Sequence, residues 1–177
     1  CPSCGSDIFK DEEAVAHRCI NPSCPSQLKR SLLHFAARDA MNIDGLGESS
    51  VEQLTDRKLV LKFSDIYRLK KEDLLGLELF KDKKAGNLLA EIEASKKQPL
   101  SRLVYALGIP HIGEKSARGL AEHFGSMKGL IGSSFEELSR VSDIGPVIAR
   151  SVTDFFSEKR VRQLVADYDI VLEQFRP

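Results

Sequence analysis

The sequence has no tryptophan, and aromatic residues make up only 7% of its 177 positions. Any core must therefore be aliphatic, and a 42% hydrophobic content is enough to supply one. No apolar run approaches the roughly 18 residues of a membrane-spanning helix, and no secretory signal opens the chain. Neither sign of charge is in excess: 26 Lys plus Arg balance 26 Asp plus Glu. That balance argues mildly against nucleic-acid binding, because attraction to phosphate usually appears as surplus base. Local charge matters more than the total. Lys81, Lys83 and Lys84 cluster, as do Arg68, Lys70 and Lys71, although such runs taken alone are solvated helix faces. The chain opens on Cys1 and not on Met, so further domains are expected beyond these residues.

Cysteine is absent after position 24. The four present form two close pairs, Cys1-Pro2-Ser3-Cys4 and, fourteen residues later, Cys19-Ile20-Asn21-Pro22-Ser23-Cys24. Two pairs on a short intervening segment suit one tetrahedral Zn²⁺, each pair giving two thiolates from a tight turn. Two disulfides or an iron site are the alternatives. With nothing marking secretion, a reducing cytoplasm is expected, and it disfavours disulfides. His17 is the nearby competitor as a ligand, and four thiolates leave it a bystander. A closed shell of four sulfurs has no position for a reactive water, so the zinc is expected to be structural. The segment is too short to bury a core, so metal would supply most of its folding energy.

From Arg30 onward the apolar spacing is helical, broken by short Gly-, Pro- or Asp-containing stretches. Those breaks repeat. Gly45-Leu46-Gly47, Leu79-Phe80-Lys81, His111-Ile112-Gly113 and Asp143-Ile144-Gly145 follow one another at intervals of 34, 32 and 32 residues. Their middle residues are all apolar: Leu46, Phe80, Ile112, Ile144. Further apolar columns lie three residues before (Ile43, Leu77, Ile109, Val141) and six before (Ala40, Leu74, Ala106, Leu138). Behind each hairpin come Val51, Ala85, Ala117 and Ala149, then Leu54, Leu88, Leu120 and Val152. Each unit is expected to be a helix, a hairpin with a buried middle residue, and a second helix packed back on the first. The second helices begin with Glu48, Asp82 and Glu114, where an acid suits the helix dipole, or with Pro146, whose missing N–H costs nothing there. Four such units are expected to arrange as two pairs.

A hairpin feeding a helix N-terminus aims several backbone N–H groups at one spot, which suits a phosphate oxygen. Glycine in the third position lets the backbone approach closely. Such contacts hold sugar-phosphate and read no bases. Lys115, Arg118 and Arg150 follow hairpins three and four closely enough to add charge beside those N–H groups.

CPSCGSD, CINPSCPSQ, HFAARDAMNIDGLG, LVYALGIPHIGEKSARGLAEHFGS and LSRVSDIGPVIARSVTDFF, in this order, resemble the zinc finger and helix-hairpin-helix (HhH) part of bacterial NAD-dependent DNA ligases. The resemblance covers nearly the whole chain. It implies a C-terminal fragment with a mainly α fold, in which a Cys4 zinc finger over 1–28 precedes an HhH domain over 29–177. It implies a structural zinc on Cys1, Cys4, Cys19 and Cys24. It further implies sequence-independent binding to nicked double-stranded DNA, within an enzyme that seals 5′-phosphate/3′-hydroxyl nicks in replication and repair. The family's reactive lysine sits in a Lys-x-Asp-Gly motif; here the nearest string is Asn42-Ile43-Asp44-Gly45. NAD and magnesium are thus expected to serve the parent enzyme and not these residues, which should be inactive alone. The family's BRCT domain is not found among them either. DNA contacts are expected at Gly45, Gly47, Gly113 and Gly145, with Lys115, Arg118 and Arg150 beside them. Hairpin two departs from the family pattern: Lys81 replaces glycine, and either takes a phosphate by its ammonium or marks a unit turned structural. His111 and Asp143 depart in the first position. The competing expectations are a freestanding HhH repair adaptor and a protein-interaction scaffold without DNA. A monomer without membrane contact is expected.

Overall fold

The computed structural model describes residues 1–10, 17–19, 21 and 24–157. Strand β1 (Ile8–Lys10) pairs antiparallel with β2 (His17–Cys19), Ile8 facing Cys19. Two stretches of the segment between the cysteine pairs thus lie side by side. Helices then follow without further strands among the described residues. Unit one is α1 (Pro25–Ala36) and α2 (Glu48–Asp56), and α3 (Phe63–Ile66) links it to unit two, α4 (Lys71–Leu75) and α5 (Asp82–Ser95). Unit three is α6 (Leu100–Ala106) and α7 (Glu114–Phe124). After the linking helix α8 (Met127–Ile131), unit four is α9 (Phe135–Leu138) and α10 (Pro146–Ser157). The expected boundary between 28 and 29 falls inside α1, which starts at Pro25 with Cys24 as its N-cap. The cysteine module therefore runs into the first helix without a linker.

The second helices begin at Glu48, Asp82, Glu114 and Pro146. Short helices need their ends satisfied, and side chains do this at four of them, the Ser126 hydroxyl of α8 taking the Gly129 N–H (3.1 Å). Asp65 and Asp73 accept the N–H groups of Lys62 and Lys70 (3.1 and 2.9 Å), and Glu137 accepts that of Ser134 (2.8 Å). The α7 helix stops at Gly125, whose φ of 65° is the left-handed conformation that glycine adopts freely.

Every residue in the five repeating columns is buried, from Ala40, Ile43, Leu46, Val51 and Leu54 in unit one to Leu138, Val141, Ile144, Ala149 and Val152 in unit four. They belong to one continuous core that is mainly aliphatic but also holds Phe35, Phe63, Phe80 and Phe156. Alanine at 85, 117 and 149 is fully buried, so the helix backbones of those units approach without a bulky side chain between them. Phe35 and Phe63 stack at 4.8 Å in the same core and fix α3 against α1.

Polar contacts register the units. Gln53 on α2 grips the turn of hairpin two: its Oε1 accepts the Glu78 N–H (2.7 Å), and its Nε2 donates to the Glu78 carbonyl (3.4 Å). The corresponding place six residues after hairpin three is Gly119, which faces the carbonyl of Ser142 in the turn of hairpin four. The second helices of units one and three thus reach the turns of hairpins two and four at the same position. Units one and three meet where the Tyr105 hydroxyl donates to Asp39 (3.2 Å) and Arg102 donates to the carbonyls of Arg38 and Ala40 (3.1 and 3.3 Å).

Candidate metal centre and nucleic-acid interface

The two cysteine turns bring four sulfurs together. Gly5, at φ 70°, lets its N–H reach back to the Cys1 carbonyl (2.8 Å), and the Cys24 N–H bonds the Asn21 carbonyl (3.0 Å). All four Sγ atoms lie within 4.8 Å of one another, with Cys1–Cys24 at 3.8 Å and Cys4–Cys19 at 3.5 Å. These separations are far beyond the ~2.05 Å of a disulfide. They approach the edge of a tetrahedron with metal–sulfur bonds of about 2.3 Å. Hydrogen bonds from the Ser6 hydroxyl and N–H pull the Cys4 thiol down to about 6, towards the thiolate that binds metal. Cys19 moves the other way: the Asn21 N–H lowers it, but burial and the adjacent thiols of Cys4 and Cys24 outweigh that. The donor set suits zinc in a closed structural shell. Gln27, one turn into α1, donates its amide to the Cys19 carbonyl and joins the finger to the helix.

The four hairpins share one backbone design. The N–H of each middle residue, Leu46, Phe80, Ile112 and Ile144, bonds the carbonyl three residues back, at Ile43, Leu77, Ile109 and Val141 (3.3, 3.3, 3.1 and 3.1 Å). The first hairpin residue lies between them in the left-handed region: Gly45 at φ 84°, Leu79 at 62°, His111 at 65° and Asp143 at 63°. This is the third residue of a type II turn, whose second residue Pro110 fits in unit three. The conformational demand thus falls on the first position. The third position is extended: Gly47 at φ −89°, Lys81 at −114° and Gly113 at −97°. Any residue adopts that backbone, so Lys81 sits there without strain.

Packing does not call for glycine in the third position either. A Cβ added to Gly47, Gly113 or Gly145 would meet nothing within 4 Å. All three glycines are exposed immediately before the second helices. Gly45 is different. Its N–H is engaged by Asp44 (2.9 Å) and its φ is 84°, so it serves the turn; an added Cβ would make only ordinary contact with Leu88 (3.7 Å).

The expected cations divide. Lys81 and Arg118 are exposed beside hairpins two and three. Lys115 is exposed but paired with Asp143 across hairpins three and four (2.9 Å). Arg150 lies over the Phe135 ring at 5.2 Å, leaving its guanidinium at the surface of unit four. On unit two, Lys84 lies over the Phe80 ring at 4.1 Å. Lys71 pairs with Asp82 (2.7 Å) and holds that carboxyl below its ordinary value. The Lys115–Asp143 pair joins residues 28 apart and depends on how the units dock. Its only trace in the sequence was the departure of Asp143 from the family pattern in the first position.

Residues 1–25 match the family model of the NAD-dependent DNA ligase C4 zinc finger domain, and residues 102–165 match that of the helix-hairpin-helix motif. A DNA ligase of Endomicrobium trichonymphae is 49% identical over 166 residues, covering 93% of this chain and 25% of that protein. A DNA ligase of Koribacter versatilis strain Ellin345 is 47% identical over 176 residues (99% and 26%), and one of Latilactobacillus sakei strain 23K is 47% identical over 171 (97% and 25%). The chain spans about a quarter of the length of these relatives.

Proposed function

From its match to DNA ligases along nearly its whole length, to the NAD-dependent DNA ligase C4 zinc finger over 1–25 and to the helix-hairpin-helix motif over 102–165, we propose that the chain grips duplex DNA around a nick without reading its bases. The observation that carries this is the open third position. Gly47, Gly113 and Gly145 sit where neither backbone conformation nor packing asks for glycine, each directly ahead of a helix. A glycine there leaves room for an external group to reach the helix N-terminus, and a phosphate oxygen is the group such an end favours. Contacts of this kind position a backbone and carry no sequence information. Lys81, Lys115, Arg118 and Arg150 add charge around the N–H groups; Gly45 acts through the turn.

Zinc held by Cys1, Cys4, Cys19 and Cys24 is proposed as a structural ion. The two modules are proposed to meet at Cys24. Joining of strands, with NAD and Mg²⁺, is assigned to the parent enzyme in the cytoplasm, because no Lys-x-Asp-Gly occurs among the 177 residues. The grip is proposed for a monomer.

Titration of a labelled nicked duplex with the chain tests the grip. Gly113→Val and Gly145→Val should fold like the parent and bind about tenfold more weakly, equivalent to roughly 1.4 kcal/mol of lost contact. Folded variants that bind as tightly as the parent would make the hairpins structural and defeat the proposal.

A further inference from the structure

Two exposed side chains at the hairpins have the wrong chemistry for phosphate. Leu79 is 87% exposed and Val147 is 63% exposed, the two highest values among the large apolar residues described as exposed. Each belongs to the second unit of a docked pair. Leu79 is the first residue of hairpin two; Val147 follows Gly145 by two. Leu79 is also held at φ 62°, a conformation that glycine or asparagine takes at far lower cost. Exposure of an isobutyl group and a strained backbone thus coincide at one residue that makes no compensating burial among the described residues.

Their surroundings indicate what covers them. Leu79 is two residues from Lys81 and four from Lys83, both exposed. Val147 stands in the register where units two and three carry Lys83 and Lys115. Each of these exposed apolar side chains thus stands on a surface that carries cations: Leu79 beside Lys81 and Lys83, and Val147 at the helix position that units two and three fill with lysine, three residues before the exposed Arg150. A polyanion whose apolar surface lies beside its charges fits such a surface: a nucleic-acid strand, in which each phosphate is flanked by sugar C–H groups. The sugars differ in kind. Deoxyribose offers a methylene at C2′, and ribose places there a hydroxyl that an apolar side chain cannot satisfy.

Resting on the DNA grip proposed above, we propose that Leu79 and Val147 lie against deoxyribose beside the phosphates held at their hairpins, and so make this surface select DNA over RNA. The test titrates the chain with a nicked DNA duplex and with an RNA duplex of the same sequence, across a salt series. Leu79→Asn suits the left-handed turn and Val147→Thr keeps the branched shape, so both should fold. Each is expected to weaken DNA binding about fivefold. RNA binding should change little, so the DNA-to-RNA preference narrows. The salt dependence should stay parallel to the parent's, because an apolar contact releases no counterions, whereas Lys81→Ala should flatten it by about 0.9 in log K against log salt. Folded variants that keep the parent's preference overturn the inference. A parent dimer that dissociates on Leu79→Asn assigns the patch to a second copy and overturns it too. If the parent binds neither duplex at low salt, the grip itself fails and this inference falls with it.

Discussion

At residue scale, the hairpins separate two roles that glycine commonly combines. Conformation is demanded in the first position and close approach is allowed in the third. Valine makes the distinction measurable. His111→Val puts a β-branched residue at φ 65° and should lower stability by about 1–2 kcal/mol although the site is exposed. Gly113→Val, two residues on, enters an extended backbone facing open space and loses only the N-cap preference for glycine, so it should cost less, about 0.5 kcal/mol. Comparison of the two denaturation midpoints checks this; equal losses would contradict the assignment. Lys115 belongs at this scale as well. Its pairing with Asp143 is exposed, so the pair itself stabilises little. Lys115→Ala is expected to leave the melting temperature in place and to reduce the salt slope of DNA binding by about 0.9.

At the scale of elements, the repeat made the architecture legible. A period near 32 residues aligned five apolar columns, and all of them are interior because each unit buries the same faces of its two helices. The four second-helix starts were equally legible, since an acid or proline at the first helical position has a local cause. Less was legible where the repeat lapses. Helices α3 and α8 lie between units, where no column constrains them, and α9 has only four residues. The first-position turn was missed because its residues, Gly, Leu, His and Asp, share a backbone angle and no chemistry. The grip of Gln53 on Glu78 is tertiary and leaves no local signal. Two measurements follow. Ile112→Ala empties a site that is 9% exposed and should destabilise by roughly 2–5 kcal/mol in a denaturant titration. The Glu137 carboxylate caps α9 by accepting the Ser134 N–H, and that bond, with one from the Ser134 side chain, holds it below the ordinary value. A depressed carboxylate contributes stability above its unfolded pKa, about 4.3, and loses it as pH falls through the folded value. Glu137→Gln should therefore show a smaller loss of stability on acidification below that range than the parent.

At the scale of the whole molecule, the two modules depend on different forces. The helical part has an extensive, mainly aliphatic core, and the cysteine hairpin has two strands of three residues. Chelation of the proposed zinc is expected to unfold the hairpin while most of the helical circular dichroism survives. Losses should be confined to the first turn of α1, where Cys24 and Gln27 tie it to the finger. Collapse of the entire helical signal would mean that the metal organises both parts. Incubation with NAD and Mg²⁺ should give no covalent AMP adduct by mass spectrometry, consistent with the missing Lys-x-Asp-Gly.

Cys24 has a use beyond stability. It is one of the four clustered sulfurs and also the residue on which α1 begins. On the zinc assignment above, any tilt or rotation of that helix displaces a ligand atom. Cobalt exchanged into the centre would turn that displacement into a change of colour. The molecule then carries its own optical gauge, readable without a dye, of whether seating on a duplex moves the first helix or leaves it where it stands.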